Sequence, residues 1–145
     1  MPIVALSLAE EKVHESRYDP DKGTEKATRF TYGPLDSRVA GWIKDKATSY
    51  TVVPGRADTD EMETSYASNE RNFRACEFGL RAIENFVDGK GNPVQPKRAK
   101  RTVGGRTYEV MSEDTVRLIP EAVLAELAEK ITAGNELSEA QQGNS

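Results

Sequence analysis

The sequence predicts an α+β domain: one long central helix, two shorter helices and two β-hairpins, with an extended N-terminal arm and a polar C-terminal tail. Three observations predict it. Residues 58–87 contain no Pro, and Met62, Tyr66, Asn69, Phe73, Cys76, Leu80, Ile83 and Val87 recur there at alternating spacings of four and three, the repeat of one helix face. Two stretches, 2–32 and 100–111, set short strand-like runs on either side of Gly-containing turns, as hairpins do. No repeat or low-complexity linker divides the 145 residues, a length that suits one domain. The predicted division is a single domain over 1–134, with an arm at 1–10, followed by the tail 135–145.

The elements follow in order. Residues 2–8, PIVALSL, read as a short strand or extended arm. Asp19-Pro20-Asp21-Lys22-Gly23 is a turn signal, because Pro presets φ and Gly accepts φ > 0. The run Thr28, Phe30 and Tyr32 alternates like a strand after it, giving the first hairpin. Asp36 or Ser37 caps a helix over roughly 36–50, with Val39, Trp42, Ile43, Ala47 and Tyr50 on one face. Thr51-Val52-Val53 reads as extended, and Pro54-Gly55 breaks the chain.

The long helix is expected over 58–87, about 45 Å in length. Asp58, Asp60, Glu61 and Glu63 at its start complement the helix dipole. Phe78 and Phe86 widen its buried face, Gly79 marks a close crossing, and the run from Asp88 to Pro93 stops it. The second hairpin turns at Gly104-Gly105, with Val103, Tyr108 and Val110 as its apolar contacts. Ser112 caps a short turn carrying Val116, Leu118 and Ile119. Pro120 at the first helical position opens a helix over 120–133 with Val123, Leu124, Leu127 and Ile131 on one face, and Gly134 ends it.

Composition narrows the function. Hydrophobic residues make up 37% of the chain and charged ones 30%, a lean core that disfavours a deep apolar catalytic pocket. No window approaches 18 consecutive apolar residues, so no membrane span and no membrane partner is expected. MPIVALSLAEEK has no basic segment and breaks at Glu10, so it does not read as a signal peptide and a cytoplasmic origin is expected. With one cysteine, Cys76, and one histidine, His14, neither an intrachain disulfide nor a Cys-rich or His-rich metal site can form.

Residue groups of the types used in chemistry read more simply as structure. Gly89-Lys90-Gly91 follows a helix and lacks the Ser or Thr of a phosphate-binding loop. Asp19, Asp21 and Glu25 miss the glycine and glutamate positions of a calcium loop. Cys76 on the apolar stripe is expected to be a buried, inert thiol, and His14, in a polar segment, a surface histidine. No nucleophile–base pair can be argued from one histidine. The expectation is therefore a protein with no catalytic residues, no metal and no cofactor.

Charge placement is more informative. Lys97, Arg98, Lys100, Arg101 and Arg106 put five positive charges into ten residues with no acid among them, which leaves −9 on the other 135. Such a hairpin is either solvated, set against an acidic protein partner, or placed on nucleic-acid phosphates, where binding falls steeply with salt. The apolar stripe, with Met62, Tyr66, Phe73, Leu80 and Ile83, is either the seam against this chain's own elements or partly a seam to another subunit. A predicted 30-residue helix outruns the two shorter ones about twofold, which favours a share for a neighbour.

Three patches between 27 and 145 carry a resemblance. Ala27-Thr28-Arg29-Phe30-Thr31-Tyr32-Gly33-Pro34-Leu35 is similar to the aromatic strand, Pro-Leu and helix opening of small tailed-bacteriophage morphogenesis proteins. Phe78-Gly79-Leu80, Glu84-Asn85-Phe86-Val87-Asp88 and Gly91-Asn92-Pro93-Val94 resemble their Gly-Leu, aromatic-Asn and Gly-x-Pro-Val stretch. Leu118-Ile119-Pro120, Glu126-Leu127-Ala128, Leu137-Ser138-Glu139 and Gly143-Asn144-Ser145 resemble their closing segments. The insertion at 97–106 departs from the shorter versions of the family. The resemblance implies a non-enzymatic protein of phage particle construction, made in the host cytoplasm. It would be either a virion component of the capsid surface, neck or tail, or a tail assembly chaperone absent from the finished particle. Its partners would be other phage structural proteins or copies of itself. A DNA-contacting protein and a small inhibitor of host factors are the readings from other classes.

Overall fold

The computed structural model describes residues 2–49 and 57–135, with side chains described outside 47–49 and 57–67. Met62, Tyr66, Ala47, Tyr50, the 58–63 acids, the 51–55 break and the 136–145 tail therefore lie outside the described side chains or residues. The fold is α+β, and among the described residues it comprises four helices and two small antiparallel sheets.

The first hairpin forms as its turn chemistry predicts. Strands β1 (Lys12–His14) and β2 (Arg29–Tyr32) pair antiparallel. Between them, the Asp19 carboxylate accepts the N–H groups of Asp21 and Thr28, each at 2.8 Å, and Gly23 takes φ 84°. The 2–8 segment is an arm and not a strand. It closes on a turn in which Glu10 N–H donates to the Ser7 carbonyl at 2.9 Å.

Helix α1 (Ser37–Ser49) starts where expected, its cap being Asp36, whose Oδ1 accepts the Val39 N–H at 2.8 Å. Val39 and Ile43 are buried, and Trp42 meets Phe78 edge-on at 5.7 Å.

The long central helix is the main correction. Helix α2 (Ala57–Gly79) stops at Gly79, and the next residue opens strand β3 (Leu80–Glu84). β3 pairs with β2 to complete a three-stranded sheet of order β1-β2-β3. Tyr32 pairs with Leu80 but Thr31 with Ala82, so Arg81 is the extra residue of a bulge. A bulge turns a spacing of three into two side chains on the same face, and both Leu80 and Ile83 are buried. That spacing is what mimics a helix in the sequence. Asn85 at φ 57° then ends the strand, in a left-handed conformation that Asn tolerates. Its amide donates to the carbonyls of Glu25 and Ala27, both at 3.0 Å, which ties β3 to the first hairpin.

Gly79 serves a second purpose. A Cβ built on it would come within 2.7 Å of the Ile131 side chain. The absence of a side chain lets helix α4 (Glu121–Ala133) cross close to α2, the close crossing the sequence predicts. The Gly79 carbonyl accepts the Gly33 N–H at 3.0 Å, so this end of α2 is not left unpaired.

The second hairpin, β4 (Arg98–Val103) and β5 (Arg106–Met111), turns on Gly104 and Gly105 at φ 60° and 80°. Positive φ at both positions is the geometry that matches strand twist. Ser112 caps α3 (Glu113–Val116) by accepting the Thr115 N–H. Pro120 is the cap of α4 itself (φ −57°, ψ 145°), one place earlier than predicted. Gly134 ends α4 in a right-handed conformation. The core lies between α1, the second half of α2, α4 and the β4–β5 hairpin, with Leu80, Met111, Leu127, Ile131 and Val116 fully buried. Asn135, assigned to the tail by sequence, is held inside the fold. Its Oδ1 accepts the Leu35 N–H at 2.9 Å, and its amide donates to the Leu35 carbonyl.

Candidate functional site

The basic hairpin is less free than its sequence implies. β4 alternates, so Arg101 points inward with Val103 while Lys100 points out. Arg101 Nη1 donates to Glu77 Oε2 at 3.1 Å and to Glu113 Oε1 at 2.8 Å. Arg74 joins the same carboxylates, bonding Glu77 Oε1 at 3.0 Å, Glu113 Oε1 at 3.2 Å and Glu70 Oε1 at 2.8 Å. Glu77 is only 2% exposed whereas Glu113 keeps 43% of its side chain in solvent, so this is a half-buried network centred on Glu77 that joins α2, β4 and α3. Burial acts to lower the Arg74 pKa, but the bonds from Glu70 and Glu77 outweigh it and the guanidinium stays charged. The bond from Arg74 holds the Glu113 carboxyl below the usual range. The Arg101 guanidinium also lies 5.1 Å above the Trp42 ring.

Arg98 is anchored too, donating to the Leu80 carbonyl at 2.7 Å beside the end of α2. Lys97, Lys100 and Arg106 remain exposed. Lys100 stands opposite Glu109 in the β4–β5 register. Arg106 covers the Tyr108 ring at 5.6 Å. Tyr108 O–H in turn donates to Asp36 Oδ2 at 2.6 Å. Burial pushes the Asp36 carboxyl up, but the bonds from Tyr108 and Val39 prevail and hold it below its usual range.

The apolar stripe is divided. Phe73 is half-buried on α2, whereas Leu80 and Ile83 are core residues of β3. Met62 and Tyr66 lie outside the described side chains. Cys76 is fully buried, and burial pushes its thiol up to about 12, the opposite of what a nucleophile needs.

His14 corrects the surface expectation. Its Nε2 bonds Glu126 Oε1, and Glu126 is only 8% exposed. The same carboxylate accepts Ser16 Oγ–H and Arg17 N–H, both at 3.1 Å. Because the serine hydroxyl points to the carboxylate and not to the imidazole, this is no nucleophile–base pair. It is a latch fixing the first hairpin to α4. Burial raises the Glu126 pKa, but the bonds from His14, Arg17 and Ser16 win and lower it overall. A carboxylate with a lowered folded pKa stabilises above its unfolded pKa, and that stability is lost as pH falls through the folded value. Glu126→Gln should therefore be about 1–2 kcal/mol less stable than the native chain at pH 7, and the difference should shrink below pH 4.5. Urea midpoints at the two pH values check this, and an equal difference at both would contradict it.

Two surfaces stay apolar and open. Ile3 (89% exposed), Val4 (66%) and Leu8 project from the arm. A groove of about 390 Å³ lies between the first hairpin, the segment after β3 and the start of α4, lined by Tyr18, Phe30, Phe86, Val87, Pro120 and Val123. It runs into a wider cleft that includes Asp19, Asp21, Glu25 and Glu84. The arm is legible in the sequence as the apolar run 2–8, whereas the groove is not, because it draws its walls from segments about a hundred residues apart.

Among the described residues, no three His, Cys, Asp or Glu side chains converge as a metal site. No helix among them is long and apolar enough to cross a membrane. No protein-family model, no curated protein and no solved structure matches this chain.

Proposed function

We propose that this chain is a non-enzymatic structural subunit of a tailed-bacteriophage particle, placed at the capsid surface, neck or tail, that binds neighbouring subunits during assembly. The observation that carries the binding role is the apolar surface left to solvent on the arm. Ile3 and Val4 are side chains that a folded domain normally buries, and their exposure on a projecting segment is what a subunit contact needs. The phage setting rests on the resemblance of the 27–35, 78–94 and 118–145 patches. Of the basic hairpin, Lys97, Lys100 and Arg106 are the cations left to meet an acidic neighbour or a phosphate backbone, since Arg101 and Arg98 are engaged within the chain.

Mass spectrometry of purified mature particles tests the reading. The chain is expected in them at a fixed ratio to known structural proteins. Its presence in infected cells but absence from particles would replace the structural role by that of an assembly chaperone. A duplex-DNA shift that weakens steeply between low and moderate salt would instead favour the nucleic-acid reading. Lys100→Glu and Arg106→Glu are the informative hairpin variants, whereas Arg101 substitutions would disturb the fold itself.

A further inference from the structure

Seven large apolar side chains are exposed among the described residues, and five of them fall on two surfaces. Ile3, Val4 and Leu8 belong to the arm, and Tyr18 and Val87 line the groove. One surface projects and the other is concave. In this chain they do not meet. The arm lies against the far end of α4, beside Lys130, Ile131 and Asn135, whereas the groove is walled by its start, about 10–20 Å away along the helix.

The groove also selects by charge. Its floor is aromatic, with the Phe30 and Phe86 rings 6.4 Å apart. The cleft continuous with it carries Asp19, Asp21, Glu25 and Glu84 against one cation, Lys26. A segment bearing carboxylates is repelled there. Residues 1–9 carry no charged side chain, and residues 2–8, extended, span about 23 Å. They run into a turn at Ser7–Glu10, closed by the Glu10 N–H on the Ser7 carbonyl.

We propose that the groove receives the N-terminal arm of a second copy of this chain, with Ile3 and Val4 seated against Phe30, Phe86 and Val87. The contact deepens the neighbour-binding reading above and rests on it for its setting, by making one of the neighbours another copy.

The test is the oligomeric state of the full chain by sedimentation equilibrium. Concentration-dependent self-association is expected. Ile3→Asp with Val4→Asp should weaken it at least tenfold, and so should Val87→Asp alone. These side chains are exposed, so unchanged thermal unfolding of the diluted variants verifies that the fold is intact. Val4→Cys and Val87→Cys chains, mixed under mild oxidation, should form a disulfide between one chain of each kind, with the buried Cys76 not competing. A chain that stays monomeric at all concentrations overturns the proposal. So does association that survives both sets of substitutions. A Val4→Cys/Val87→Cys double variant that closes its disulfide within one chain would overturn it as well, by giving the groove to the chain's own arm. Absence from particles would sink the phage role and leave the cross-link standing, whereas a monomer found in particles would sink this inference alone.

Discussion

Replacing Arg74 by Met is expected to destabilise the fold by about 2–3 kcal/mol, the cost of losing charge-assisted bonds to a buried carboxylate that Arg101 still partly compensates. Glu77 is the reason. It sits on the inner face of α2 with one carboxylate oxygen on Arg74 and the other on Arg101. Without Arg74, one oxygen of a nearly inaccessible carboxylate loses its bond, and Glu70 loses its partner too. The expected result is a urea midpoint well below that of the native chain with an unchanged slope. Arg74→Met combined with Glu77→Met should recover part of the loss, because the buried carboxylate is gone while Arg101 keeps its bond to Glu113. A single-variant cost below about 1 kcal/mol would mean that the network behaves like an exposed one.

The second large effect belongs to Gly79. In an isolated helix, Gly79→Ala would gain about 1 kcal/mol from propensity. Here the added methyl would stand 2.7 Å from two carbons of Ile131. Ile131 is fully buried and cannot yield without displacing α4. Overpacking of this kind costs about 1–3 kcal/mol, so the net expectation is a loss of about 1 kcal/mol. The diagnostic is a double-mutant cycle with Ile131→Val. Removing one methyl from the partner should return part of the loss, giving a coupling above about 0.5 kcal/mol. A stabilised Gly79→Ala variant would show that α2 and α4 can move apart freely.

These two sites also mark where the sequence could and could not be read. The turns at Asp19–Gly23 and Gly104-Gly105, the Asp36 and Ser112 caps and the apolar face of α4 are local signals, and each element they predict is present. The stretch after Gly79 was misleading for a geometric reason. A bulged strand and a helix both place residues three apart on one side, and only pairing with β2 distinguishes them. The environments of His14 and Arg101 escape a sequence reading because their partners lie elsewhere in the chain, and Glu126 carries no local signal of its role. The His14–Glu126 contact spans 112 residues, and no local pattern encodes it. The five-cation run was visible, but which of its members face inward depends on the strand phase and on Glu77 and Glu113 being within reach.

The long-range ties have a consequence for how the chain is made. The first hairpin comes early in synthesis, yet its latch is Glu126, and the segment entering α1 is clasped by Asn135. A growing chain can build the β4–β5 hairpin as soon as it emerges, since that pairing is local. It cannot latch the first hairpin to α4 until α4 has left the ribosome. Until then, β1 is held to the domain by its pairing with β2 alone.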